Sequence, residues 1–247
     1  MKIALFITIS LFLNTQILLS QQNSPGTGSV ARSPLENDAV LKWLNAANKS
    51  QLAKGNQNLD VSSIEGSPYY NEEFISGNIY YLDKIYGNYP MRYNAFSDEV
   101  EIQRAGSNKM ESVYKSMSLS CDIESEKFVY AKYINQKGEA QEGYLIRLNS
   151  SQKYILYEKK SKIYKEGKKA ATSMHPSYPP KFEDKYEYFL STDNGFPVYF
   201  KPSKKELAEL FGQEKASDIK NFIKQNKIKL TNKEDLMKFI EYLNSGV

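Results

Sequence analysis

The chain has one cysteine, one histidine and one tryptophan in 247 residues, and each scarcity closes off a class of function. A single thiol, Cys121, cannot form an intrachain disulfide, so stability must come from a packed core. A serine or cysteine nucleophile with a histidine base would have to use His175, which lies in the loop-like Ser173-Met174-His175-Pro176. No Gly-x-Ser-x-Gly elbow accompanies it. One His and one Cys cannot supply the three or four nitrogen and sulfur ligands of a zinc site. The calcium-loop pattern is absent, and Gly138, Gly143 and Gly195 read as turn glycines rather than a phosphate cradle. No metal ion and no cofactor is therefore expected. Excess charge is missing too: a net +4 is too small for a general nucleic-acid binder.

What is present begins at the amino terminus. Met1-Lys2 precedes an apolar run, Ile3 to Leu19, and Ser20 precedes the polar Gln21-Gln22-Asn23-Ser24-Pro25-Gly26. That order predicts a secretory signal peptide over residues 1–20, and hence a protein of the periplasm or outer surface. The competing reading is an uncleaved anchor, for which the flanks are weak and Asn14-Thr15-Gln16 is too polar. Cys121 is too far from the run to carry a lipid, and no transmembrane segment remains after cleavage.

The mature chain reads as a polar leader over 21–34 and one α+β domain over 35–247. A helix is expected over 35–54, where Val40, Leu41, Trp43 and Leu44 recur at helical spacing. Residues 64–200 carry strand patterns, helped by 19 tyrosines, which favour half-buried sheet surfaces. One hairpin is expected around the turn-like Tyr86-Gly87-Asn88-Tyr89-Pro90. A second joins 128–134 to 143–148, and a third is centred on 191–195. Strands joined by short polar turns favour an antiparallel sheet, here six to eight strands curled into a half-barrel or roll. Residues 203–245 change to helical period. Ser203 with Glu206 and Thr231 with Glu234 have capping-box spacing, and Gly212 marks a stop.

Two groups of side chains could carry function. Between Lys153 and Lys185 nine lysines face four acids, a local excess of +5 that could meet phosphates, acidic glycans or anionic headgroups. Lys159, Lys160, Lys162, Lys168 and Lys169 are its candidate contacts. The second group is Asp98, Glu99 and Glu101 beside Arg92, where Glu99 and Glu101 share one face of a strand. Paired carboxylates can cleave glycosidic bonds, although such pairs usually come from separate segments. Solvent-facing acids beside Arg92 and Arg104 are the plainer account, and no catalytic residue is assigned.

The segment Gly66-Ser67-Pro68-Tyr69-Tyr70-Asn71-Glu72-Glu73-Phe74, the Pro90-Met91-Arg92-Tyr93-Asn94 stretch and the lysine-rich helical tail resemble a group of exported, functionally uncharacterised proteins of Bacteroidota-type bacteria. The resemblance covers 64–104 and 201–245. It implies an envelope location and brings no activity or ligand. The leading expectation is a non-catalytic envelope protein that binds a partner protein, a glycan or other envelope polymer, or a lipid, through Arg92, Tyr93 and Asn94 and the basic strand-loop lysines. The alternatives are a structural component of a secretion or adhesion assembly and a carboxylate-based hydrolase using Asp98, Glu99 or Glu101. If Arg92 is a contact, Arg92→Ala weakens binding and spares stability. A large fall in melting temperature assigns it to a structural ion pair instead.

Overall fold

Alternating apolar and polar residues from Ile75 onward become strands, and the computed structural model describes residues 64–104, 106, 110–168 and 177–246. The expected signal peptide over 1–20, the expected leader over 21–34 and the expected helix over 35–54 with Trp43 lie outside the described residues, as do Lys169 and His175. Ten strands follow in order: β1 (Ile75–Tyr81), β2 (Lys84–Asn94), β3 (Glu99–Gln103), β4 (Met110–Ser112), β5 (Leu119–Ile123), β6 (Glu126–Ile134), β7 (Ala140–Arg147), β8 (Tyr154–Lys165), β9 (Lys181–Thr192) and β10 (Val198–Phe200). Two helices complete the chain, α1 (Lys204–Gln225) and α2 (Lys233–Asn244). The architecture is thus α+β, mostly sheet, with the described helices at the carboxyl-terminal end.

The strands form one sheet in the order β10-β9-β8-β7-β6-β5-β1-β2-β3-β4. Neighbours are antiparallel, but β10 also pairs in parallel with β6 through Val198 and Ile134. Strands β6 to β10 therefore close on one another, and the sheet is mixed rather than purely antiparallel. Tyr133, Leu145 and Phe189 are buried together on the inner face of this ring, with Val129, Tyr157 and Tyr199 against them. The outer face carries two larger cores. One joins Leu156, Leu190 and Phe200 to Leu207, Ile219, Leu236, Phe239 and Ile240 of the helices. The other lies between β1–β5 and the outer face of β6–β7, around Met91, Val100, Cys121, Phe128 and Tyr144. Each of the large side chains fully buried there contributes about 1.5–3 kcal/mol of apolar transfer.

The ring has a split, and the β2–β3 turn fills it. Strands β7 and β8 pair only at Ile146↔Glu158 and Arg147↔Tyr157. Beyond that point the Tyr144 N–H donates instead to the Asp98 carboxylate, at 3.3 Å to either oxygen. The Lys162 N–H donates to the Ala95 carbonyl at 3.0 Å, and the Tyr93 hydroxyl lies 3.3 Å from the Lys160 carbonyl. A turn has taken the place of a neighbouring strand, satisfying backbone groups that would otherwise be orphaned.

Three local expectations change. The first hairpin does not turn at Tyr86–Pro90, which is strand throughout; it turns at Leu82-Asp83, with Tyr81 opposite Lys84. Gly87 and Asn88 look like turn residues, yet Asn88 serves the strand by bridging the side chains of Ser76 and Asn78. Strands β4 and β5 fall in a stretch where the hydrophobic alternation is too short to stand out. The last helix is capped one residue late: Asn232, not Thr231, accepts the Asp235 N–H at 2.9 Å. Ser203 does cap the first helix, accepting the Glu206 N–H at 3.2 Å. Gly212 breaks that helix without ending it, at φ 75°.

Candidate functional site

The segment Gly66–Phe74 forms a strap across the β2–β3 turn. Pro68 favours an extended Ser67, whose hydroxyl accepts the Tyr69 N–H at 3.2 Å. The Pro68 carbonyl then accepts the N–H groups of Ala95 and Phe96, and the Tyr70 N–H donates to the Tyr93 carbonyl. With the strap in that position its two tyrosines reach two different cations.

Tyr69 covers Arg92. The guanidinium carbon lies 3.6 Å from the Tyr69 ring centre and 4.4 Å from that of Phe74. Arg92 Nε donates to Glu101 Oε2 at 2.9 Å, Nη1 to the Glu72 carbonyl at 3.0 Å and Nη2 to the Tyr69 hydroxyl at 2.7 Å. Glu101 also accepts from Asn94 and from the Tyr69 hydroxyl. Only 12% of the Arg92 side chain and 11% of the Glu101 side chain is exposed. Burial, and then the Glu101 charge, hold the Tyr69 hydroxyl above its ordinary pKa, so it stays a donor to Glu101.

Tyr70 covers Lys160, with the ammonium 3.8 Å from the ring centre. Lys160 donates to both oxygens of Glu126, at 2.6 and 2.8 Å. Lys233, at the start of α2, bridges Glu126 and Glu158, so four charges alternate where the helix meets the sheet. Burial draws the Lys233 pKa down, but its hydrogen bond to Glu158 and the charges of Glu158 and Glu126 outweigh this and hold it above the ordinary value. Above this network Tyr70 and Tyr186 meet edge to face, centres 6.3 Å apart at 90°. They are 46% and 47% exposed, and Lys162 with Asp184 continues the same strand surface. Burial, and then the hydrogen bond with Tyr70, raise the Tyr186 pKa, which keeps the Tyr186 hydroxyl neutral.

Asp98 and Lys159 form a third centre inside the split. Lys159 Nζ lies 3.1 Å from Asp98 Oδ1, donates to the Tyr144 carbonyl at 3.2 Å and sits 5.5 Å from the Tyr133 ring centre. The Tyr93 hydroxyl donates to Asp98 at 2.6 Å. Gly143 makes room: a Cβ there would collide with Asp98 Oδ2 and lie 2.9 Å from Lys159 Nζ. Several tyrosines nearby resist ionisation. Burial, then Glu142, pushes Tyr130 to about 12; burial, then Asp98, does the same to Tyr133. Tyr93 and Tyr144 are raised well above 10.0, by burial first and then by Asp98 and Cys121 respectively.

These shifts give a pH dependence with a definite sign. Unfolded tyrosines lose their protons near pH 10, while the folded ones hold theirs to about 12. The unfolded state therefore binds fewer protons between the two values, and stability falls as pH rises through that window. Melting temperature should be nearly level from neutrality to about pH 10 and drop steeply between about pH 10 and pH 12. A level profile across that window contradicts the buried-tyrosine account.

Three of the remaining lysines are matched along the sheet: Lys165 and Lys181 with Glu183, and Lys185 with Glu187. Lys168 bridges through its backbone to Tyr178. Part of the excess of charge along 153–185 is thus answered by acids outside the segment, Asp98, Glu126 and Glu187. Arg92, Tyr93 and Asn94 come together around Glu101 and Asp98, with Tyr93 buried, whereas Lys160 and Lys162 lie beside the exposed tyrosines. Glu99 accepts from the hydroxyls of Ser97 and Ser112. Cys121 is fully buried, and burial, then Asp122, pushes its thiol to about 12. Among the described residues no group of His, Cys, Asp or Glu is placed to hold a metal ion, and no helix is long and apolar enough to cross a membrane. Tyr186, Glu126 and Glu158 join Tyr70 of the 66–74 segment without any motif of their own, because the four lie in separate stretches. Comparison with protein-family models, curated proteins and solved structures gives no match to this chain.

Proposed function

We propose that this chain is an exported envelope protein that works by binding rather than catalysis, with a glycan of the envelope as its ligand. The observation that carries this reading is the exposed Tyr70–Tyr186 pair set over a neutralised charge network. Tyrosine rings offer large, amphipathic contact area and lose little conformational entropy when already held in place. Here one ring is fixed by Lys160 beneath it and the other by the first. The face of one and the edge of the other suit the flat apolar side of a sugar ring, and Lys162 and Asp184 supply polar groups at its rim. The carboxylates of a hydrolase reading, Asp98, Glu99 and Glu101, are held by protein donors.

The test is co-sedimentation and titration with purified cell-wall and surface polysaccharide from the host. Tyr186→Ala should weaken binding about tenfold, in line with loss of an aromatic anchor. Its melting temperature should change little, because the ring is half exposed. Unaltered binding by Tyr186→Ala, or no binding by the parent protein, defeats the reading.

A further inference from the structure

The tip of the β1–β2 hairpin pairs a strained backbone with exposed apolar side chains. The strands are joined by Leu82-Asp83 alone, and both residues are left-handed, at φ 48° and 61°. Turns of this kind normally use Asn-Gly or Asp-Gly, because a side chain at positive φ crowds the following carbonyl. Asp tolerates the position, but leucine is among the least suited residues. Leu82 is nonetheless there, 62% exposed, so no packing within the described fold compensates for the strain.

Its neighbours share the property. Ile85 is 68% exposed, Tyr81 50% and Met117 55%. The Leu82 N–H donates to the Ser118 carbonyl at 2.9 Å, which fixes the Met117 loop beside the hairpin tip. Lys84 follows the turn and Lys115 precedes Met117, while the turn itself contributes one acid, Asp83. Neither lysine is in an ion pair among the described residues, in contrast to the matched lysines of β8 and β9. Aliphatic side chains at a projecting tip, a tyrosine behind them and free lysines flanking them suit one surface well. The aliphatic groups enter the acyl boundary, the tyrosine sits at headgroup depth and the lysines meet lipid phosphates.

We propose that this tip, formed by Tyr81, Leu82, Ile85 and Met117 with Lys84 and Lys115, docks the protein on an anionic lipid surface. The strain at Leu82 is retained because the turn must carry an apolar side chain outward. This surface is separate from the tyrosine pair, and each can fail without the other.

The experiment uses the protein in the form its host exports, with sedimentation on two kinds of vesicle. One contains phosphatidylglycerol and phosphatidylethanolamine in equal parts; the other is phosphatidylcholine alone. The parent should bind the anionic vesicles more tightly. The double variant Leu82→Asn, Ile85→Asn should bind them at least about tenfold more weakly. Its melting temperature should match or exceed that of the parent, since asparagine accepts a left-handed turn. Lys84→Gln with Lys115→Gln should remove the preference for anionic lipid. Tyr186→Ala should leave vesicle binding unchanged. The proposal is overturned if the parent stays in solution with both vesicles, or if the double variant still sediments with the anionic ones. It is equally overturned if the tip variants abolish a dimer seen by size exclusion and nothing binds lipid, which assigns the patch to a protein interface.

Discussion

Arg92→Ala should lower stability by about 3–5 kcal/mol, because removing one member of a buried ion pair leaves the other charge unanswered. Glu101 would keep only Asn94 and Tyr69 as donors, in a place where 11% of its side chain meets water. The arginine is also the filling between the rings of Tyr69 and Phe74, so the strap loses its seat. At roughly 2–4 °C per kcal/mol for a domain of this size, the melting temperature should fall by about 6–20 °C. Arg92→Lys should rescue little, since an ammonium cannot serve Glu101, the Glu72 carbonyl and Tyr69 at once. The double change Arg92→Met, Glu101→Gln should recover part of the loss, as no charge is then left buried. Thermal melts of the four proteins check this; a fall of a degree or two for Arg92→Ala returns Arg92 to the list of contact residues.

Asp98→Ala should be of similar size, about 3–5 kcal/mol, for a different reason. The Asp98 carboxylate is the counter-ion of Lys159 and also the acceptor for the Tyr144 N–H and the Tyr93 hydroxyl. Alanine removes all of these and places a β-carbon at φ 56° with no side-chain oxygen to support it. Asp98→Asn keeps an acceptor and tolerates the left-handed backbone, so it should lose about half as much. The position of the damage distinguishes this case from Arg92. Hydrogen exchange at Tyr144 and Lys162 should speed up in Asp98→Ala, because the turn that fills the split loosens, while the helical core stays protected. Unchanged exchange at those two amides contradicts the account of the turn as a substitute strand.

Much of the fold can be read from local pattern. The 128–148 hairpin, the 191–195 turn and the Ser203 cap are legible because the period, the turn residues and the capping oxygen all lie within a few positions of each other. The β1–β2 turn is not, because Leu82-Asp83 lacks turn chemistry while Tyr86–Pro90 has it. Ring closure is invisible for another reason: Ile134 and Val198 meet across a distance in sequence that no periodicity encodes. The same holds for the site. Arg92 and Lys160 stand out as charges, but what they do depends on where their partners lie. Glu101 is one strand away from Arg92, Glu126 is 34 residues from Lys160, and Tyr186 enters only through register with Lys160. A charge reads from sequence; its neutralisation does not.

The closure of the ring has a consequence for how the chain acquires its structure. Strand β6 serves β5, β7 and β10, and the last of these is only three residues long. A ribosome delivers β6 well before β10, so the inner face around Tyr133, Leu145 and Phe189 stays wet until Val198 reaches Ile134. Contacts that wait on so distant a partner form slowly, and meanwhile they are open to proteases and to other unfolded chains. The helices that follow β10 then pack over Leu156, Leu190 and Phe200, so segments made after the ring closes set the lock on β8, β9 and β10.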